Sequence, residues 1–278
     1  MTTLAPQQPT HRDDEEDTAT SPRTDCVADF AGGLTFEITD RGGSGPAHVV
    51  LCRRAGEQEV RLPLTPAGDG CLRAALPGGV DVPEGRWDAY LQVADDEPRR
   101  LSPGLNDLRS LVDRAPTPTA DRVAVRIPYG TKHGNLTIRS WERSPHAEAG
   151  ELHIGGGELE VTLQAYGAAP APDAYAELTD REGTASALRA GLTSDDRGGL
   201  RFTVAYGDLR PGTWDLWLRP QGETGPRVRI ARLLDDIVDK IPVFVYPKTR
   251  VETEHGPVEA RPHYTVDNDL SVTVVAVD

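Results

Sequence analysis

Two stretches of this chain repeat one another. Gly85-Arg86-Trp87-Asp88-Ala89-Tyr90-Leu91 returns as Gly212-Thr213-Trp214-Asp215-Leu216-Trp217-Leu218. Each copy is a turn glycine, a Trp-Asp pair, then apolar and aromatic residues in alternation. An internal repeat constrains a fold more than composition does, because both copies must build the same unit. The surroundings match in the same order. Leu34–Ile38 corresponds to residues 159–163, 70–76 to 199–204, and 107–113 to 233–239. Further on, 123–125 corresponds to 243–245 and 128–138 to 262–272, with residues 247–260 added in the second copy as a longer hairpin or loop. The repeat places a tail at 1–24, a first unit at 25–141, a polar linker at 142–150 and a second unit at 151–278.

Within each unit apolar residues recur with period two, and Gly/Pro/Asp turns interrupt them every 8–15 residues or so, as in short strands buried on one face. The chain has 28 Gly, 23 Pro and a single Met, which suits strands joined by turns rather than helices. Only 106–114 and 231–240 carry apolar residues three and four apart, and one or two helical turns are expected there. The expected fold is all-β: two tandem immunoglobulin-like or fibronectin-III-like β-sandwiches with a disordered acidic N-terminal tail bearing Asp13-Asp14-Glu15-Glu16-Asp17.

Charge removes several classes of partner. With 44 acidic against 30 basic residues the net charge is −14, which speaks against nucleic acid and against an anionic lipid surface. No apolar run approaches the roughly 20 residues of a membrane helix, so no direct membrane insertion is expected. The first residues lack the basic start and apolar stretch of a secretion signal, and a cytoplasmic location follows as the expectation. Cys26, Cys52 and Cys71 show no metal or redox spacing.

Catalytic signatures are also missing: there is no phosphate-binding glycine loop, no nucleophile elbow and no His-Glu-x-x-His. The seven histidines (His11, His48, His133, His146, His153, His255 and His263) form no close pair of the metal-binding kind. Asp267-Asn268-Asp269 crowds oxygen ligands in the manner of a calcium site, but its counterpart Gly134-Asn135 lacks the acids, and a turn braced by Asx side chains explains both. No catalytic residue, metal or cofactor is assigned.

The Trp-Asp strand is more informative. Alternation puts Trp87, Ala89 and Leu91 on one face, with Asp88 and Tyr90 on the other. In the second copy Trp214, Leu216 and Leu218 point inward, leaving Asp215, Trp217 and Arg219 outside. The outward ring can pack on neighbours, with Asp215 pairing Arg227 or Arg229 across a hairpin. Alternatively the ring is a platform for the C–H face of a sugar, and the carboxylate accepts from its hydroxyls. The candidate ligand-binding residues are Trp217, Asp215, Tyr90 and Asp88, together with His255 and His263, which flank the longer hairpin.

Several segments also carry a family resemblance: Trp214-Asp215-Leu216-Trp217-Leu218-Arg219, Arg229-Ile230-Ala231-Arg232-Leu233, Val243-Phe244-Val245-Tyr246-Pro247, Arg261-Pro262-His263-Tyr264-Thr265, and Asn268 to Val272. Together they resemble the repeated β-sandwich region that accompanies actinobacterial cell-envelope transferases, both glycosyltransferases and teichoic-acid-type glycerophosphotransferases. In such proteins catalysis lies in a separate α/β domain, which nothing in this chain resembles. The resemblance implies a non-catalytic accessory module that binds glycan or docks on an envelope-polymer transferase. Two other readings stand beside it. One is a small transferase with its site between the units, drawing on His255, His263, Asp267 and Asp269. The other is a structural scaffold assembling through an exposed sheet edge.

Overall fold

The computed structural model describes residues 21–39, 43–68, 70–112, 114–116, 121–194, 198–254 and 256–277. These form two β-sandwiches with no α-helix among the described residues. The first contains β1 (Arg23–Ala28), β2 (Leu34–Ile38), β3 (Ala47–Arg53), β4 (Glu59–Pro63), β5 (Thr65–Pro66) and β6 (Leu72–Leu76). It continues with β7 (Gly85–Val93), β8 (Arg99–Arg100), β9 (Ser102–Asp107), β10 (Val123–Gly130) and β11 (Leu136–Arg143). The second has β12 (His146–Gly155), β13 (Glu158–Tyr166), β14 (Tyr175–Asp180), β15 (Leu188–Gly191), β16 (Thr193–Ser194) and β17 (Leu200–Ala205). Then follow β18 (Gly212–Arg219), β19 (Val228–Ala231), β20 (Thr249–Thr253), β21 (Gly256–Tyr264) and β22 (Leu270–Ala276).

The strand orders are equivalent. In the first sandwich one layer runs β5-β6-β2-β1-β9 and the other β10-β11-β7-β3-β4. In the second the same positions are filled by β16-β17-β13-β12-β19 and β21-β22-β18-β14-β15, with β20 added outside β21. A strand that changes layers closes each unit. In the first, β8 pairs β7, and β9 then lies parallel to β1. In the second a single strand does both: β19 pairs β18 through Arg229 and runs parallel to β12 through Ile230 and Ala231.

The repeated motif has one physical cause in both copies. Gly85 and Gly212 open β7 and β18 at φ +156° and +149°, where a side chain is strained. The alternation then drives Trp87, Ala89 and Leu91, like Trp214, Leu216 and Leu218, to at most 1 % exposure. Each buried indole still satisfies its N–H, Trp87 donating to the Pro83 carbonyl at 3.0 Å and Trp214 to that of Arg210 at 2.9 Å.

Four sequence expectations are corrected. Residues 106–114 hold the end of β9 and a 3-10 turn at Arg109–Leu111, while 231–240 holds no helix. Their apolar spacing serves burial of Leu111, Leu233 and Leu234 from loops. Residues 142–150 are not a linker: they lie in β11 and β12, joined through a cis Ser144–Pro145 bond. Their polar look comes from side chains paired in place, with Glu142 bound to Arg122 and Glu148 accepting from the Leu233 and Leu234 amides. The expected tail at 1–24 overlaps β1, which starts at Arg23; residues 1–20 lie outside the described residues. Finally, 243–245 lies outside any strand and is not the counterpart of 123–125, which open β10; β21 takes that place in the second sandwich.

The two sandwiches are closely joined. Tyr166, Ala231, Leu233 and Leu234 of the second pack into the apolar core of the first. Lys240 of the second is fully buried, its ammonium bound to the Asp235 carboxylate and the Ile237 carbonyl.

Candidate functional site

The Trp-Asp strand builds an outward polar cluster in each sandwich. Pairing sets Asp88 opposite Thr137 and Asp215 opposite Ser271. The Thr137 hydroxyl donates to Asp88 at 2.9 Å, and Ser271 donates to Asp215 at 2.9 Å. Two arginines complete each cluster. Arg54 donates to both Asp88 oxygens at 3.0 and 3.1 Å, and Arg100 to one at 3.2 Å. In the second sandwich Arg181 and Arg229 donate to Asp215 at 2.5 and 2.7 Å. Burial alone would raise both carboxyls, but the arginines and the hydroxyl outweigh it and hold Asp88 and Asp215 below the usual carboxylate range. The Asp215–Arg229 pair across the β18–β19 hairpin is one that the sequence offered, whereas the other three arginines and the hydroxyls come from elsewhere in the sheet and the Trp-Asp motif alone did not reveal them. The sequence signal was the matched Arg54 and Arg181, each just past the strand beside the motif.

Guanidinium groups cover the outward rings. Arg100 lies 4.8 Å from the Tyr90 centroid. Arg227 and Arg229 lie 4.3 and 5.0 Å from that of Trp217, whose indole donates to Thr179 Oγ1 at 3.0 Å. Cation–π contacts of this kind hold the ring in place. Neither ring is a bare platform: what each cluster offers a ligand is a set of fixed hydrogen-bonding edges around a supported aromatic.

His263 lies in β21 opposite Ser271, hence on the same face as Asp215. Burial, then the nearby charges of Arg181 and Arg261, push its imidazole below the ordinary value, so it is neutral at pH 7. The other flanking histidine, His255, lies outside the described residues.

The acids considered for an active site are engaged elsewhere. Arg139 donates to Asp267 at 2.6 Å and Arg143 to Asp269 at 2.7 Å, both arginines coming from the first sandwich. Trp141 Nε1 also donates to the Asp267 carbonyl at 3.2 Å. Asn268 sits between the acids, fully buried at φ +61°. Its equivalent is Gly134 at φ +78°, and both turns close with the same pair of backbone bonds. The Asp267–Asp269 turn is thus a latch between the sandwiches. Among the described residues no group of three or more His, Cys, Asp or Glu is placed to hold a metal ion.

A cavity of about 450 Å³ lies along β12, β13, β16 and β17, lined in part by Glu148, Thr162, Gln164 and Arg201. It is lined by none of the candidate site residues. Burial, followed by Asp25, pushes the Cys26 thiol up to about 12, and burial, then Glu59 and Asp88, pushes Cys52 to about 11. Both thiols therefore stay protonated at neutral pH. No helix among the described residues is long and apolar enough to cross a membrane.

No family model matches the chain, and no curated protein matches it. Among solved structures it is similar to S. aureus TarS, with 12 % identity over 65 % of this chain and 35 % of that one, at a TM-score of 0.30. The pullulanase of Anoxybacillus sp. LM18-11 complexed with maltotriose matches at 12 % identity over 70 % and 24 %, with a TM-score of 0.26. A tetra-tandem repeat from the extending region of a large adhesion protein matches at 14 % identity over 93 % and 67 %, with a TM-score of 0.21. The chain spans about a third of the TarS chain it matches.

Proposed function

We propose that this chain is a non-catalytic binding module, an accessory to a cell-envelope glycopolymer transferase, that presents the outer face of β14, β18 and β22 to glycan. The observation that carries the reading is the Asp215 cluster. A carboxylate, a hydroxyl and the Arg181 and Arg229 guanidinium groups are fixed around Trp217 on one sheet face. Prepositioned donors and acceptors beside an aromatic suit sugar hydroxyls, because little side-chain entropy is left to lose on binding. Sugar contact through these edges, with Trp217 as their support, replaces stacking on an open ring. The reading also fits the engagement of Asp267 and Asp269 in the latch, which leaves them poorly suited to acid–base work.

The test is calorimetric or array binding of glycans by the wild type, Asp215→Ala and Trp217→Ala. Binding by the wild type that both variants lose is the expected result. Absence of any bound saccharide removes the glycan reading.

A docking reading is favoured by a different surface. Ile241, Val243 and Val245 expose 47 %, 55 % and 71 % of their area within five residues of chain, and exposed apolar residues grouped in this way mark a protein contact. Pull-down from the native cell tests it, and recovery of no envelope transferase counts against it.

A further inference from the structure

The first sandwich already shows what one of its faces binds. On the outer face of β10 and β11, Arg139, Trp141 and Arg143 hold the Asp267–Asp269 turn, with Arg139 and Arg143 each taking a carboxylate. The matching face of the second sandwich is that of β21 and β22. Strand register gives the equivalences: Ile127 with Arg261, Tyr129 with His263, Arg139 with Thr273, and Trp141 with Val275.

That second face keeps a guanidinium at the same cross-strand pair but moves it one strand over. In the first sandwich the pair is Ile127 and Arg139; in the second it is Arg261 and Thr273. Arg261 is exposed and makes no ion pair among the described residues. The imidazole of His263 lies beside it, its Nδ1 3.5 Å from Thr273 Oγ1. Arg181, 47 % exposed, approaches from beyond Thr213, to whose carbonyl its amide donates. In a chain of net charge −14, this is a place where cationic donors converge without delivered acids. Of the carboxylates on this face, Asp215 is already shared by Arg181, Arg229 and Ser271, and Glu259, two residues before Arg261, is paired with Lys248.

The apolar half of the first face has not been kept. Val125 and Ile127 become Glu259 and Arg261, and buried Trp141 becomes Val275, 52 % exposed. The first face seals a protein surface out of water, whereas the second stays wet. A solvated ligand carrying oxyanions fits it better than a second protein turn.

We propose that Arg261, His263 and Thr273, with Arg181 at their side, form an oxyanion site that takes the carboxylate or phosphate groups of an acidic glycan. This deepens the glycan reading above and rests on it for the sugar part of the ligand. Guanidinium and hydroxyl groups donate to the oxyanion, and the neutral imidazole gains a proton as negative charge arrives. The groups facing that imidazole are Arg181, Arg261 and Asp215.

The experiment follows His263 by NMR while glucuronate, inorganic phosphate and glucose are titrated separately into the full chain. Glucuronate and phosphate are expected to shift the His263 resonances saturably and to raise its pKa, while glucose leaves them in place. Arg261→Gln should weaken both oxyanions on the order of tenfold, the scale of one charge-assisted bond. Arg261→Glu should abolish their binding. Both variants lie on the surface, and retained amide spectra check that they fold. The site is overturned if no oxyanion moves His263, or if Arg261→Glu binds as the wild type does. Neutral sugar perturbing Trp217, with no oxyanion at His263, sinks this site alone. Oxyanions at His263, with no saccharide bound more tightly than phosphate, support the site and count against the glycan reading. A peptide containing Asp-Asn-Asp that binds more tightly than glucuronate overturns the glycan assignment in favour of protein.

Discussion

At the scale of single residues the chain is organised by what stands on either side of the Trp-Asp strand. Inward, Trp87 and Trp214 fill their cores with the indole N–H satisfied. Replacing either by Ala should cost about 3–5 kcal/mol, the usual penalty for a large core truncation, measured by urea unfolding. Outward, Asp215 is the hinge of its cluster. Asp215→Ala leaves Arg229, 12 % exposed at its side chain, without its nearest acid, at an expected cost of about 2–3 kcal/mol. The pH dependence follows from the same contacts. Asp88 and Asp215 titrate below their ordinary 3.8 in the folded chain, so on acidification the unfolded chain takes up protons first. Their contribution is complete above pH ~4 and is lost as the pH falls through the folded values. Asp215→Asn should therefore flatten the acid limb of the stability curve below pH ~4. An unchanged slope there would show that the cluster contributes nothing on folding.

At the scale of elements, what could be read in the sequence depended on how local its cause was. The Trp-Asp strands were legible because burial with period two is written along one segment, and their glycine start is a local backbone need. Of the partners of the Asp residues, Arg229 was legible across the β18–β19 hairpin, and the others were not. Arg54 lies 34 positions from Asp88, and Thr137 lies 49 away, so only the sheet brings them together. Residues 142–150 read as a linker because Glu142, Arg143, His146 and Glu148 are polar. Glu142, Arg143 and Glu148 find partners far along the chain, in Arg122, Asp269 and the Leu233 amide, and His146 pairs with Glu148 two residues on. The turn at Asp267–Asp269 was legible as a turn, but its role as a latch was not, because Arg139 and Arg143 lie more than a hundred residues away. The latch makes its own prediction. Asp269→Ala leaves Arg143 held by Glu84 at 2.9 Å, and should cost about 1 kcal/mol. Arg143→Ala takes the guanidinium from both Glu84 and Asp269, the latter keeping only Arg229 at 3.6 Å, and should cost about 2–3 kcal/mol. A double-mutant cycle between Arg143 and Asp269 should return a coupling of about 1–2 kcal/mol; a value near zero would make the pair incidental.

At the scale of the whole molecule, the contact between the sandwiches runs head to tail, with different surfaces meeting from each copy. Contacts of that kind propagate into filaments if every unit carries both surfaces. Here neither copy does. The first has Lys132-His133-Gly134-Asn135 where the second offers Val266-Asp267-Asn268-Asp269, and so has no acids to give. The second has Thr273 and Val275 where the first holds Arg139 and Trp141, and so has no matching clamp. Neither copy can therefore repeat this contact in the other's role. The same asymmetry governs stability. Tyr166, Ala231, Leu233 and Leu234 belong by sequence to the second sandwich but fill the core of the first, so the first core is not whole without the second. Two units joined by a flexible tether would unfold separately, whereas units that share a core and an ion-pair latch should unfold together. Scanning calorimetry of the full chain should show one transition, with calorimetric and van't Hoff enthalpies in agreement. Leu233→Asp combined with Arg143→Ala puts an unpaired charge into the shared core and opens the latch, and should split that transition into two. One transition in that variant would locate the coupling outside these residues, and two in the wild type would show the sandwiches to be independent.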